Sequence, residues 1–236
     1  MAVPLLTSLA ARQLLLCIAA DWNATVGRLR RFVRTEANAD WRPVGAPIAV
    51  VLGKSGLAWG RGLHPTADGA GPVKREGDGR APAGIFAISA LFGDGGADCP
   101  LARSARLPYL HATDDLKAID DSASAHYNRI VDRTAVACPD WASCEDMRRS
   151  DGRYAVGAVV EHNSAPPLPG AGSCIFLHVW ENPGIATAGC TAMALADMTE
   201  IAGWLDGAAG PVLVQLPAVA YERLQTAWGL PALADA

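Results

Sequence analysis

The chain lacks any apolar run approaching the roughly 18–20 residues that a membrane-spanning helix requires, so no membrane span is expected. It has no basic excess either. A formal net charge of −4 offers phosphates no cationic surface, which excludes a nucleic-acid partner. Charged residues make up only 19% against 50% hydrophobic ones, a balance that argues against a disordered chain. Six cysteines in 236 residues are too few for a disulfide-dense scaffold. The spacing Cys138-x5-Cys144 lacks the second pair that a structural zinc site needs, so no metal is expected. Asp120 and Asp121 are adjacent and point apart, and neither the alternate oxygen ligands nor the closing glutamate of a calcium loop follow them. Gly77-x-Gly79 has neither the spacing nor the strand-to-helix context of a nucleotide-binding loop, and no cofactor is expected.

What is present reads as one mainly β domain over residues 1–236, since such domains often run to about 200–250 residues. Gln13–Ala20, Val26–Val33 and Pro47–Leu52 are short apolar or β-branched runs bounded by turn residues, and they predict a three-strand meander. Arg28, Arg30 and Arg34 are expected to share a solvated face. The opening stretch MAVPLLTSLAARQLLL carries an apolar segment but no basic segment ahead of it, and Arg12 interrupts it, so an export signal is not clear. Residues 57–84 form a glycine-rich loop framing a site, with His64 read as a loop histidine rather than a catalytic one. Ile85–Leu91 reads as a core strand. Trp141–Arg149 reads as a short helix, Arg153–Glu161 and Ser173–Val179 as the strongest strand pair, and Pro211–Leu216 as the last strand. Leu195, Met198, Ile201, Ala202 and Leu205 recur at helical spacing over Ala194–Leu205, and Ala218–Leu230 reads as a helical tail. Cys17 and Cys174 sit in apolar runs as buried thiols, and Cys138 with Cys144 is the most plausible disulfide.

Chemistry concentrates between Gly172 and Met193. A strand ends at His178, a Gly/Pro-containing segment follows, and Cys190 sits on a glycine turn twelve positions after the histidine. A free thiol of pKa ~8.5 is a few per cent ionised at neutral pH, so it needs a base or a positive field to act as a nucleophile. His178 supplies a base. The helix beginning soon after Cys190 adds its dipole. Gly189 lets the backbone bend so that the amides of Ala188, Gly189 and Cys190 face an oxyanion. Thr187 is placed to hydrogen-bond the turn or a substrate. His162 ends the neighbouring strand and is an alternative base. Lys74 or Arg80, in the glycine-rich loop, is placed to supply positive charge.

This order, a histidine-tipped strand, a loop, and Thr187-x-Gly189-Cys190, resembles the L,D-transpeptidase catalytic domain. Lys74-x-Glu76-Gly77-Asp78 and Ala81-Pro82-Ala83-Gly84-Ile85-Phe86 resemble the family segment in which a Pro-x-Gly-x-Phe turn enters a core strand. The resemblance covers about residues 48–216, leaving 217–236 as a tail. It implies a sandwich-like β fold with one or two short helices after the cysteine, and a nucleophile in a cleft under a mobile lid. By position it implies Cys190 as nucleophile, His178 as base and Gly189 at the oxyanion site, with Thr187, Ala188, His162 and Arg80 toward the substrate. The implied reaction is attack on the diaminopimelate carbonyl of a peptidoglycan tetrapeptide stem. D-Ala leaves, a thioester forms, and an amine resolves it to a 3→3 cross-link, or to a 1→3 link with an unusual acceptor. Water instead gives L,D-carboxypeptidase activity, and a cleft without turnover gives a peptidoglycan-binding module. Acylation by carbapenem-type inhibitors, a cell-envelope location, periplasmic or secreted, and a monomeric state go with the same resemblance. Ala188 stands where many members carry a second histidine, and Ala192 where they carry arginine or asparagine.

Overall fold

The computed structural model describes residues 3–65 and 71–233. Met1 and Ala2 of the opening stretch, residues 66–70 of the glycine-rich loop and residues 234–236 of the tail lie outside the described residues. Among the described residues thirteen strands follow in order: β1 Gln13–Ala19, β2 Val26–Val33, β3 Arg42–Val51, β4 Leu57–Trp59, β5 Ala81–Gly93, β6 Tyr109–His111, β7 Leu116–Ala118, β8 Ile130–Asp132, β9 Glu145–Asp146, β10 Val156–Val160, β11 Phe176–Val179, β12 Thr191–Met193 and β13 Val212–Pro217. Four helices join them: α1 Leu5–Ser8, α2 Pro100–Ser104, α3 Leu195–Trp204 and α4 Ala218–Trp228. Strand at 33% against helix at 16% makes the chain mainly β.

The strands close into a ring rather than facing each other as two sheets of a sandwich. Pairing runs β5–β10–β11–β12–β3–β2–β1–β13 and back to β5, an eight-stranded barrel, with β4 and β6 added to the long β5. Closure is possible because β5 is thirteen residues long and can pair β13 along Gly84–Ala87 and β10 along Ile88–Gly93. A closed ring leaves no open edge to template association. The meander β1–β2–β3 is antiparallel as its pattern predicts. These strands lie within the ring, so the barrel starts well before residue 48. Two joints, β1–β13 and β11–β12, are parallel, and no short-range signal announces them because the partners are brought together by long connections.

Alternation sorts side chains to the two faces of the ring. Ile175, Leu177 and Val179, in and just ahead of β11, and Met193 of β12 belong to the main buried core. Met198, Ile201 and Ala202 of α3 join it, as the helical spacing predicts, and α3 packs against β10 and β11. Cys174, Phe176 and Cys190 fall on the other face, in a second cluster with Phe92, Tyr154 and Met147. A separate three-stranded sheet, β8–β7–β9, contributes Ala118, with Leu116 and Ile130 packed alongside, and so roofs that cluster. It includes β9 where a helix over Trp141–Arg149 is expected. The pairing of Glu145 with Ala118 and of Asp146 with Lys117 overrides a local preference that no tertiary partner supports. Gly84, at φ +142°, turns β5 where a Cβ would stand 2.0 Å from the His64 ring. His64 is buried there and accepts a hydrogen bond from Ile85 N at 3.0 Å.

Two further expectations are corrected. All six cysteines are free, Cys138 and Cys144 included. The arginines do not share a solvated face. Arg28 is exposed, but Arg34 is 5% exposed and donates to the carbonyls of Ala11 and Leu6 at 2.6 and 2.7 Å, its guanidinium 4.1 Å over the Trp41 ring. Among the described residues no helix is long and apolar enough to cross a membrane.

Arg34 therefore ties α1 to the barrel. Arg34→Ala leaves two buried carbonyls without their charged donor and removes a stacked side chain, and is expected to cost about 2–4 kcal/mol of stability. Urea unfolding curves of the two proteins measure the difference, and a change below about 0.5 kcal/mol would contradict it.

Candidate active site

β11 and β12 run parallel with Leu177 opposite Thr191 and His178 opposite Ala192. Leu177 and Met193 point into the barrel, so His178 and Cys190 share the outer face, two positions out of step along neighbouring strands. The turn before Cys190 is held by Thr187. Its Oγ1 donates to Cys190 O at 2.6 Å and accepts from Gly189 N at 3.1 Å. Thr187 N also donates to Leu52 O, and Thr187 O accepts from Lys54 N, both at 2.8 Å, which joins the turn to the end of β3. Gly189 is buried against Arg80 O, 3.2 Å from where a Cβ would sit, whereas Ala188 is exposed. The Gly189 amide is engaged within the turn and so does not face an oxyanion in this conformation.

Cys190 is 8% exposed. Its sulfur accepts from Phe176 N at 3.3 Å and donates to Cys174 O at 3.5 Å; His178 is not among its hydrogen-bond partners. Burial pushes the thiol up to about 12, the Glu145 carboxylate adds to the rise, and the Phe176 amide, Lys74 and Arg149 offset part of it. His178 is equally enclosed. Its Nδ1 lies 2.8 Å from Val179 O, so this nitrogen carries the proton and Nε2 holds the free lone pair. Burial lowers its pKa to about 4, and Arg153 and Arg149 act in the same direction. The resting pair is thus a neutral thiol and a neutral imidazole, not a thiolate–imidazolium pair.

An aromatic wall joins the two. The Tyr154 ring meets His178 edge-on at 5.2 Å and Phe176 at 5.7 Å, and its hydroxyl donates to Glu145 at 2.6 Å. A second phenol, Tyr127, donates to Glu76, which also accepts from Ser173 at 2.8 Å. Beside the cysteine a cavity of about 360 Å³ is lined by Cys174, Ile175 and Phe176, whose backbone flanks the Cys190 sulfur, and by Leu110, Arg129, Ile130 and Glu161.

No family model, curated protein or solved structure matches the chain. The site therefore stands on its own geometry.

The remaining expected residues are placed as follows. Arg80 is not free for a substrate, because its guanidinium donates to Trp22 O and Leu57 O at 3.0 and 2.9 Å and to Asn23 at 3.3 Å. Lys74 is buried with its ammonium on Asp78 and Arg75 O, and its charge reaches the thiol. His162 lines the cavity but is 1% exposed, accepting from Arg61 N at 3.2 Å on Nδ1 and donating to Ala171 O at 3.0 Å from Nε2. With both nitrogens occupied it has no lone pair to act as a base. Ala192 is fully buried, opposite His178 on one side and Val51 on the other. Sequence reasoning missed Tyr154, Glu145 and Tyr127. Tyr127 lies in a turn and Glu145 in a two-residue strand, where no periodicity marks which polar residues turn inward, and Tyr154 lies in the turn ahead of β10 although the sequence pattern places it in the strand Arg153–Glu161.

Two measurements follow from this burial. At pH 8, iodoacetamide is expected to modify exposed Cys138 readily and to leave Cys17, Cys174 and Cys190 unmodified until the chain is unfolded, because a buried neutral thiol is a poor nucleophile. Peptide mass mapping reads this, and fast labelling of Cys190 in the folded chain contradicts it. Burial also lowers His162 to about 4. Both histidines thus bind protons in the unfolded state, at about pH 6.5, before they do so when folded. Stability is fully present above that value and is lost as pH falls toward about 4, by on the order of 3 kcal/mol per histidine. Urea midpoints between pH 7.5 and 4.5 are expected to fall accordingly, and less steeply in His178→Gln.

Proposed function

We propose that the chain is a cysteine acyltransferase of the L,D-transpeptidase kind, acting on peptidoglycan stem peptides in the cell envelope. One observation carries the reading: His178 holds its proton on Nδ1 against Val179 O, leaving Nε2 basic on the same outer face as Cys190. Two neutral groups suit general-base attack better than a pre-formed ion pair. In this mechanism Cys190 turns from Cys174 O toward substrate, and His178 Nε2 takes the thiol proton as sulfur attacks the diaminopimelate carbonyl. The Val179 carbonyl supports the imidazolium that results. His178 then passes the proton to the departing D-Ala amine, leaving a thioester on Cys190. The Phe176 amide, which already donates to the sulfur, stabilises it as negative charge develops.

The cavity lined by Cys174, Ile175 and Phe176 supports entry of substrate from that side, and the outer three-stranded sheet takes the place of a covering lid. The L,D-transpeptidase-like character of the fold is part of the proposal, carried by the strand–histidine–loop–cysteine order within the barrel. Hydrolysis to a tripeptide is the second outcome the same thioester permits, since both begin with identical chemistry.

The test is mass spectrometry of the intact chain after exposure to a tetrapeptide stem and to a carbapenem. Acylation confined to Cys190 is expected. His178→Ala is expected to slow it about 100-fold or more, while His162→Ala does not slow it to that extent. Cys190 that stays unmodified where a control enzyme is acylated sinks the reading.

A further inference from the structure

The buried cluster that holds Cys190 carries, through Tyr154, a carboxylate that acylation does not use. Glu145, on β9, accepts a hydrogen bond from the Tyr154 hydroxyl at 2.6 Å. Tyr154 is packed in one buried cluster with Cys174, Phe176 and Cys190, and its ring lies 5.2 Å from that of His178. One phenol therefore links Glu145 to both members of the proposed pair. After burial itself, the Glu145 charge is the largest influence on the thiols of both Cys174 and Cys190.

Among the described residues no cation forms an ion pair with it. Arg149 is held by Asp151 at 2.5 Å, and Arg153 by Asp151 and Glu181. Asp120 and Glu76 add negative charge around it, opposed by Arg149, and burial holds its carboxyl above the usual range. A partly buried carboxylate with a phenol but no cation beside it is costly to fold around, and perturbed groups of this kind gather where protons are moved. Water brings such a group no charge to pair with. An amine does, because at neutral pH it arrives as an ammonium and must lose a proton before its lone pair can attack.

We propose that Glu145, positioned by Tyr154, binds the ammonium of the acyl acceptor and takes its first proton, so that the thioester is resolved by a primary amine in preference to water. The proposal rests on the acyl-enzyme reading above. The step balances as follows. The ammonium gives one proton to the Glu145 carboxylate, and the freed amine attacks the thioester carbonyl to form the C–N bond. The C–S bond breaks and sulfur leaves with the electron pair. The second N–H proton passes to His178 and then to sulfur, while Glu145 releases its proton to solvent. Thioester and ammonium become amide, thiol and one proton.

The experiment follows a preformed acyl-enzyme, made from a tetrapeptide stem, and measures by mass spectrometry the ratio of amide to hydrolysed tripeptide as diaminopimelate is added as the amine. Read from the acyl-enzyme onward, the ratio does not depend on how fast the thioester forms. Glu145→Gln, which keeps size and still accepts from Tyr154, is expected to lower it at least about tenfold. Tyr154→Phe, which leaves the carboxylate in place, is expected to retain more of the ratio than Glu145→Gln. An unchanged ratio in Glu145→Gln, or the reverse order of the two variants, overturns the role of Glu145 while leaving the acyl-enzyme intact. Failure of the wild-type chain to form any thioester overturns the acyltransferase reading itself.

Discussion

The parallel contact between β11 and β12 is the constraint on which the site depends. With Leu177 opposite Thr191, inward and outward residues of the two strands fall in step, and Cys190 and His178 reach the same outer face. A slip of one residue would turn Cys190 into the barrel and Thr191 out of it. Thr191 resists this slip, because its hydroxyl donates to Gln215 at 2.7 Å and Gln215 donates in turn to Pro82 O at 3.0 Å, inside the barrel. The register of the reactive strand is thus tied to β13 and β5 on far sides of the ring.

Low polarity around the pair then decides its chemistry. The same roof that buries Cys190 disfavours the thiolate, and the same packing on Tyr154 disfavours the imidazolium. Neither group is primed alone. What the surroundings supply is placement: a fixed tautomer on His178, an amide on the sulfur, a distant ammonium at Lys74, and a phenol–carboxylate pair against the aromatic wall. In the proposed mechanism, reactivity is thereby made conditional on a substrate that displaces the Cys174 carbonyl from the thiol.

Much of this was legible where local chemistry decides. β2 spans Val26–Val33, the hairpin partner expected after the apolar run of β1, α3 follows from five apolar residues at helical spacing, and Cys190 and His178 are singled out by a glycine turn and a strand end. The rest depends on partners far away in sequence. Arg34 is buried because α1 offers two carbonyls and Trp41 a ring, none of which a solvated-face reading of β2 contains. Arg80 and His162 are polar residues near the site whose hydrogen bonds are filled by backbone from elsewhere. A two-residue strand such as β9 has no periodicity to read, so Glu145 is visible only once β7 lies beside it. Closure into a barrel is likewise a property of β5's two sets of partners, not of any one segment.

The ring is sewn unevenly. β12 and β3 share a single register pair, Ala192 with Val51, whereas β10 and β5 share five, and the turn ahead of Cys190 is fastened to the end of β3 through Thr187. That seam has the shortest register of the ring's eight joints. β12 is thus held to β3 less by its own ladder than by the turn ahead of Cys190, where the two Thr187 backbone bonds to Leu52 and Lys54 stand in for the missing register pairs.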